Sequence, residues 1–307
     1  MHGVWPLYPS QTTARRAGYP IPMLSERSET QETVYNTGLD GDQFLGGVGQ
    51  LWRHRRLTWA FVLKDLRHRY TGSTIGFFWT VITPLLELCT YTFVFHVLIG
   101  VKFHPAGGWS NYALFLFAGM VTWMAFAEGL TGATTSISAH AHLIKKLNFP
   151  AVVLPAHLIV SAVLNQGIRL SVLCGAAIFL GHGLSWHLAL VPLVVLVQTT
   201  LVLGLGLILA TMNVFFRDTI HWLRSLLLLG MFMTPIFYPA SAYPARFKLV
   251  LQLNPMAHLV GVVQELMLNH RFPHPHSIIL TIIVSVIFLV IGYSVFHHHQ
   301  NKFSDLV

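Results

Sequence analysis

The sequence predicts an all-α integral membrane protein. Six transmembrane helices are expected, with an N-terminal amphipathic helix in the membrane interface and external re-entrant helices between spans five and six. Three observations predict this. Of 307 residues, 54% are hydrophobic and only 10% are charged, with mean hydropathy +0.60, whereas soluble domains carry about 25% charged residues. Six apolar runs reach the roughly 20 residues that a bilayer crossing needs. The cations gather in the segments between runs, on one side of the expected topology.

Taken in order, residues 1–49 mix Pro, Ser, Thr, Gly and scattered charges and read as a disordered cytoplasmic tail. The start, "MHGVWPLYPS", lacks a basic region followed by an apolar core, so no cleavable signal peptide is expected. In 50–72, Trp52, Trp59, Leu63, Leu66 and Tyr70 recur at helical spacing, while Arg53, Arg55, Arg56, Lys64, Arg67 and Arg69 occupy other faces. Such a helix lies in the interface with its aromatic face in the acyl boundary. Its cations suit either a plain anchor or an anionic ligand such as a lipid-linked diphosphate at the leaflet surface.

The spans follow at about 75–101, 112–136, 151–181, 187–214, 219–239 and 277–296. With both termini inside, fourteen of the nineteen Lys and Arg residues fall in cytoplasmic segments. Lys102, Arg246, Lys248 and Arg271 fall outside, and Arg169 lies within a span. The +8 net charge is therefore a topology signal, and no nucleic-acid partner is expected. Residues 301–307 form a short cytoplasmic tail. Cys89 and Cys174 both sit in apolar runs and read as packing residues.

Two connections stand out. "HLIKKLNFP" (142–150) puts Lys145 and Lys146 beside His142, Leu143, Ile144, Leu147 and Phe149, closed by Pro150. A positive-inside loop accounts for the lysines but not for the interleaved apolar residues. The segment 234–273 is too apolar for a free loop and is broken by Pro235, Pro239, Pro244 and Pro255. Irregular backbone cannot face lipid, so short helices re-entering from outside are expected, with Asn254 capping a second one that starts at Pro255.

Ionisable groups inside spans are costly and become functional candidates: Glu87, Glu128 and Arg169. Pairing of Glu128 with Arg169 for packing alone is the equal alternative. Trp79, Tyr91, Trp123 and Phe126 could offer flat faces to sugars in a channel, though aromatics more often belong to interfacial belts and lipid-facing surfaces. The chain has no Gly-Lys phosphate loop, no His-Glu-x-x-His, no Cys-x-x-Cys and no Gly-x-Ser-x-Gly elbow. Asp40-Gly41-Asp42 lies in the tail without a strand around it. No catalytic residue, metal site or cofactor is expected in this chain.

Several stretches, in order, resemble the membrane subunit of ABC-2-type polysaccharide exporters. They are "LKDLRHRYTGSTIGFFWTVITPLLELCTYTFVF" (63–95), "FAGMVTWMAFAEGLTGATTSISAHAHLIKKLNFP" (117–150), "NVFFRDTIHWL" (213–223), and "TPIFYPAS" (234–241) with "LNPMAHLV" (253–260). The resemblance implies a transmembrane domain over 50–300, with re-entrant helices in 240–272. It further implies a homodimer in the cytoplasmic (inner) membrane, two copies of a separate ATPase that holds ATP and Mg, and a lipid-linked polysaccharide as substrate: O-antigen, capsule or teichoic acid. It makes His142, Leu143, Ile144, Lys145, Lys146, Leu147, Phe149 and Pro150 the helix that docks into the ATPase. It matches 234–260 to the family's external re-entrant region, whose short helices are expected to form the external gate, with Pro235, Tyr238, Tyr243, Phe247, Asn254 and Pro255 in it, or else a passive lid. Where the family pattern has an arginine shortly after Asn-Pro, this chain has Gln264 and Glu265, which leaves the outer gate without that cation. An exporter of small amphiphiles, from the same class, and a membrane-embedded enzyme are the competing readings. The basic start and the "LIKKLNFP" and "FFRD" motifs favour polysaccharide export, and the absence of a catalytic constellation counts against the enzyme.

Overall fold

The structure, a computed structural model, describes residue 49 and residues 52–70, 76–98, 100, 109–146, 149–183, 185–269, 272 and 275–306. The expected tail lies outside these residues apart from Gly49, as do Leu147, Lys102 and Arg271. The side chains of Arg69, Tyr70 and Lys146 also fall outside the description.

Every described element is helical. α1 spans Arg55–Tyr70, α2 Trp79–Thr92, α3 Trp109–Ala139, α4 Ala141–Lys146, α5 Val153–Phe179 and α6 Val191–Phe215. α7 spans Thr219–Met233, α8 Lys248–Leu253, α9 Pro255–Gln264, α10 Pro275–His299 and α11 Phe303–Leu306. Four stretches are long and apolar enough to cross a membrane: Asn111–Ala139, Val153–Phe179, Trp186–Phe215 and Pro275–Leu306. The chain is thus a multi-pass membrane protein.

Two expected spans come out shorter. The first is α2 continued by one π-helical turn, Phe93–Leu98, with Pro84 inside it. The fifth, expected over 219–239, stops at Met233. Its cause is Pro235: the residue before a proline is pushed out of the helical region, and Thr234 sits at φ −91°, ψ 139°. Of the expected interfacial helix over 50–72, the structure describes 52–70, with α1 at Arg55–Tyr70. Trp52, Trp59 and Leu63 face outward from it. Its opposite side holds fully buried Val62, and Phe61 sets its ring edge-on to Phe149 and His157, with centroids 5.7 and 5.3 Å apart.

α3 is the axis of the bundle, buried along most of its length and in contact with α5, α6, α7 and α9. α5 ends in a left-handed glycine: Gly181 has φ +80°. The His182 amide then donates to the Ala177 carbonyl and the Gly181 amide to that of Ile178, closing the helix end without orphan carbonyls. The His182 ring also bonds the Asn111 side chain, which ties this turn to the start of α3.

α6 and α10 pack backbone to backbone. A Cβ on Gly292 would lie 2.1 Å from the Gly204 carbonyl oxygen, and one on Gly204 would lie 2.4 Å from the backbone at Phe288 and Leu289. Lipid tails are as apolar as Leu, so membrane helices associate by this kind of close approach. The α6–α10 contact continues into a second apolar cluster, in which Ile137, Val152, Leu207, Tyr293, Phe296 and Phe303 meet.

Gly292→Val forces these two helices apart. A loss of about 3 kcal/mol, at the upper end for overpacking, is expected, read as a lowered unfolding midpoint in detergent against Gly175→Ala, where nothing meets an added Cβ.

Candidate functional site

Three places carry the sequence-derived candidates. The first is at the end of the bundle where α3 turns into α5. α4 follows α3 after one residue, and Pro150 closes the connection. His142 and Lys145 are exposed, while Leu143, Ile144, Phe149 and Pro150 are half-buried. Ile144 packs against the second apolar cluster, and α11 touches α4, with Phe303 fully buried beside Phe296 at 5.2 Å. α4 is therefore clamped to its own bundle through Ile144, and its outward face is His142, Leu143 and Lys145. Beneath it, His140 sets its ring 5.8 Å from that of buried His157. His140 bonds the Ser136 carbonyl and His157 that of Val153, each through Nδ1. The sequence reading missed Phe61, His140 and His157; the two histidines flank the loop, but nothing in the sequence brings Phe61 of α1 to them.

The described cations Arg53, Arg55, Arg56, Lys64 and Arg67 lie on or next to α1, at this same end. Lys64 and Arg67 border an open groove with Ala60, Leu63 and His68. Arg55 donates to the Trp52 carbonyl and lies 5.0 Å over its ring.

The second place is a polar cluster within the membrane-spanning helices. Glu128 on α3 accepts from Arg169 at 3.0 Å and from the Asn165 side-chain amide at 2.7 Å. Asn165 and Arg169 are one turn apart on α5 and so share a face. One residue on, Gln166 donates to Gln198 on α6 at 3.0 Å, and Gln198 donates to the Thr122 carbonyl on α3 at 2.9 Å. Side-chain bonds thus lock α3, α5 and α6 together. Glu87 on α2 lies within electrostatic reach of Arg169. Trp79 is 41% exposed and borders a cleft of about 240 Å³ with Thr83, Asn165 and Arg169.

Two expected channel residues are instead core. Trp123 is 6% exposed and Phe126 9%, their rings 5.3 Å apart. The physical reason is Gly230 on α7: its missing side chain leaves room for the Trp123 ring, which an added Cβ would meet at 2.9 Å. Neither residue offers a face to a passing sugar. Tyr91 is half-buried, with its ring 5.5 Å from that of Phe237.

The third place is the break after α7. Leaving the helix frees carbonyls, and three of them find side-chain donors. Phe232 accepts from the Tyr238 hydroxyl at 2.6 Å, Pro235 from Gln264 at 3.2 Å and Phe237 from the Tyr112 hydroxyl at 3.0 Å. Gln264 also donates to the Phe115 carbonyl at 3.3 Å, joining the break to α3. Asn254 caps α9 by accepting from the Met256 and Ala257 amides, with Pro255 in the first turn, and donates to the Thr234 hydroxyl at 3.0 Å. Pro235 is buried, Tyr238 and Tyr243 are half-buried with rings 6.0 Å apart, and Phe247 is 47% exposed. Gln264, noted in the sequence only as a missing cation, is the residue that holds the break.

The family model for ABC-2 type transporters matches residues 56–268. The chain is 33% identical over 262 residues to the O-antigen export system permease protein RfbA of Myxococcus xanthus, covering 85% of this chain and 98% of that protein. It is 30% identical over 250 residues to an O-antigen export system permease protein RfbA of Klebsiella pneumoniae, covering 80% of this chain and 92% of that protein.

The ion pair gives a prediction. Removing one partner of this half-buried pair strands the other charge, at a cost of up to about 3–5 kcal/mol, the range for fully buried pairs. Arg169→Met and Glu128→Met are each expected to lower the unfolding midpoint in detergent, and the double variant to lose less than the two losses combined.

Proposed function

The chain belongs to the ABC-2 type transporter family, and from that premise we propose that it is the permease subunit of a polysaccharide exporter. Its cargo is a lipid-linked polymer of the O-antigen kind, moved across the cytoplasmic membrane. One observation carries the reading: similarity to O-antigen export permeases runs over 85% of this chain and 98% of the Myxococcus xanthus protein. The competing export of a small amphiphile has no such support. This chain is a transport subunit, and ATP and Mg belong to a separate ATPase.

Six crossings follow if α2 with its π turn and α7 are counted with the four long helices. α7 alone reaches about 22 Å at 1.5 Å per residue, short of the roughly 30 Å core. The break after it supplies the remaining depth. Both termini are then cytoplasmic, in agreement with α1, Lys145, Arg217, Arg224 and Lys302 lying at one end of the bundle and Arg246 and Lys248 at the other.

α4 is the element that meets the ATPase. In support, a short helix clamped to the bundle transmits a rigid-body shift, and its outward face combines Lys145 with Leu143. The cations of α1 serve the diphosphate of the lipid carrier. The break and α8–α9 form the external gate, with Tyr238, Tyr243 and Phe247 near the exit. One bundle of this size packs closed around α3, so a passage for polymer needs a second copy and hence a homodimer.

Native mass measurement of the complex, co-purified with its ATPase, is expected to return two copies of each chain. A transport-competent complex with one copy of this chain would overturn the dimer. Leu143→Asp is expected to leave the protein in the membrane while abolishing polymer-stimulated ATP hydrolysis. Ile144 is unsuitable for this test because it also packs against its own bundle. Unchanged stimulated hydrolysis would reduce α4 to a topology signal.

A further inference from the structure

The cleft between α2, α3 and α5 has a chemistry that narrows its ligand. Trp79 forms one wall with half its surface open, and Pro84 and Met124 add apolar surface. Asn165 and Arg169 form the polar wall. Asn165 is 2% exposed and spends its amide on Glu128, yet its carbonyl oxygen meets no donor among the described residues. Arg169 spends one terminal nitrogen on Glu128, while its Nε and its other terminal nitrogen are likewise without an acceptor. Buried polar atoms left unmet in this way are uncommon and call for an explanation.

The unmet set is one acceptor beside two donors. A carboxylate or phosphate offers acceptors only, and would leave the Asn165 oxygen unmet. An ammonium offers donors only, and would leave the guanidinium unmet. A hydroxyl gives and takes a hydrogen bond, so neighbouring hydroxyls satisfy both residues together. Charge points the same way. Arg169 is already paired with Glu128 at 3.0 Å, so the pair leaves no net positive charge for an anion.

We propose that this cleft is a subsite for a neutral, hydroxyl-rich sugar ring. The Trp79 indole is its platform, Asn165 and Arg169 are its hydrogen-bonding wall, and Glu128 holds that wall in place. Both wall residues line the cleft, and their unmet atoms lie buried within that wall. The proposal rests on the reading of the chain as a polysaccharide permease and adds that its polymer presents neutral rings here.

The test uses the full-length protein, purified with its native partners in lipid nanodiscs. Saturation-transfer NMR is recorded with two soluble probes of equal length: mannotetraose, which is neutral, and tetragalacturonate, which carries a carboxylate on every ring. Transfer to mannotetraose is expected, with little or none to tetragalacturonate. Trp79→Ala is expected to abolish it and Trp79→Phe, which keeps an aromatic face, to restore it, with unfolding midpoints showing that both variants are folded. No transfer to mannotetraose, equal or stronger transfer to tetragalacturonate, or an unaffected Trp79→Ala would each overturn the subsite. Deleting the gene in its host and measuring surface polysaccharide separates the two claims. Unchanged polymer defeats the export reading, whereas lost polymer with a failed NMR test defeats the subsite alone.

Discussion

A chain that crosses a bilayer has no water to finish its backbone hydrogen bonds, and each amide or carbonyl left unmet there costs several kcal/mol. This chain breaks a helix at Thr234, and the architecture around the break is set by meeting that cost. Tyr112 and Phe115 on α3, Gln264 on α9, Tyr238 in the break itself and Asn254 at the α9 cap all converge there. The donors come from residues far apart in sequence, so the break also fixes where α3 and α9 stand relative to α7.

The rest of the bundle uses two other devices suited to lipid. One is the removal of side chains, so that backbones touch: Gly204 meets Gly292, and Gly230 makes room for Trp123. The other is a small set of buried polar residues, with Glu128, Asn165, Gln166, Arg169 and Gln198 binding three helices. Apolar burial contributes little specificity where the solvent is itself apolar. It is therefore the glycines and amides that decide which helix lies beside which.

What could be read from the sequence was what depends on neighbours along the chain. Proline rules located the end of α4's connection at Pro150 and the start of α9 at Pro255, with Asn254 as its cap. The Glu128–Arg169 pair could be named because charges in a span need partners. What depends on contacts across the fold could not be read. Trp123 looked like a channel residue because nothing nearby reveals that Gly230, more than a hundred positions on, opens a slot for it. Gln264 looked like an absence. The length of α7 was overestimated because the run 234–239 stays apolar after Pro235 has ended the helix.

The glycine crossing has a mechanical consequence. Backbones in direct contact at Gly204 and Gly292 have no side-chain layer to shear, so α6 and α10 behave as one spar. α3 and α5 are pinned to α6 by the amide chain through Gln198. A passage that widened and narrowed would have to take its motion from elsewhere. The element outside these ties is α2, with Pro84 inside it and a π turn at its end. The molecule divides into a stator of packed helices and one jointed stave.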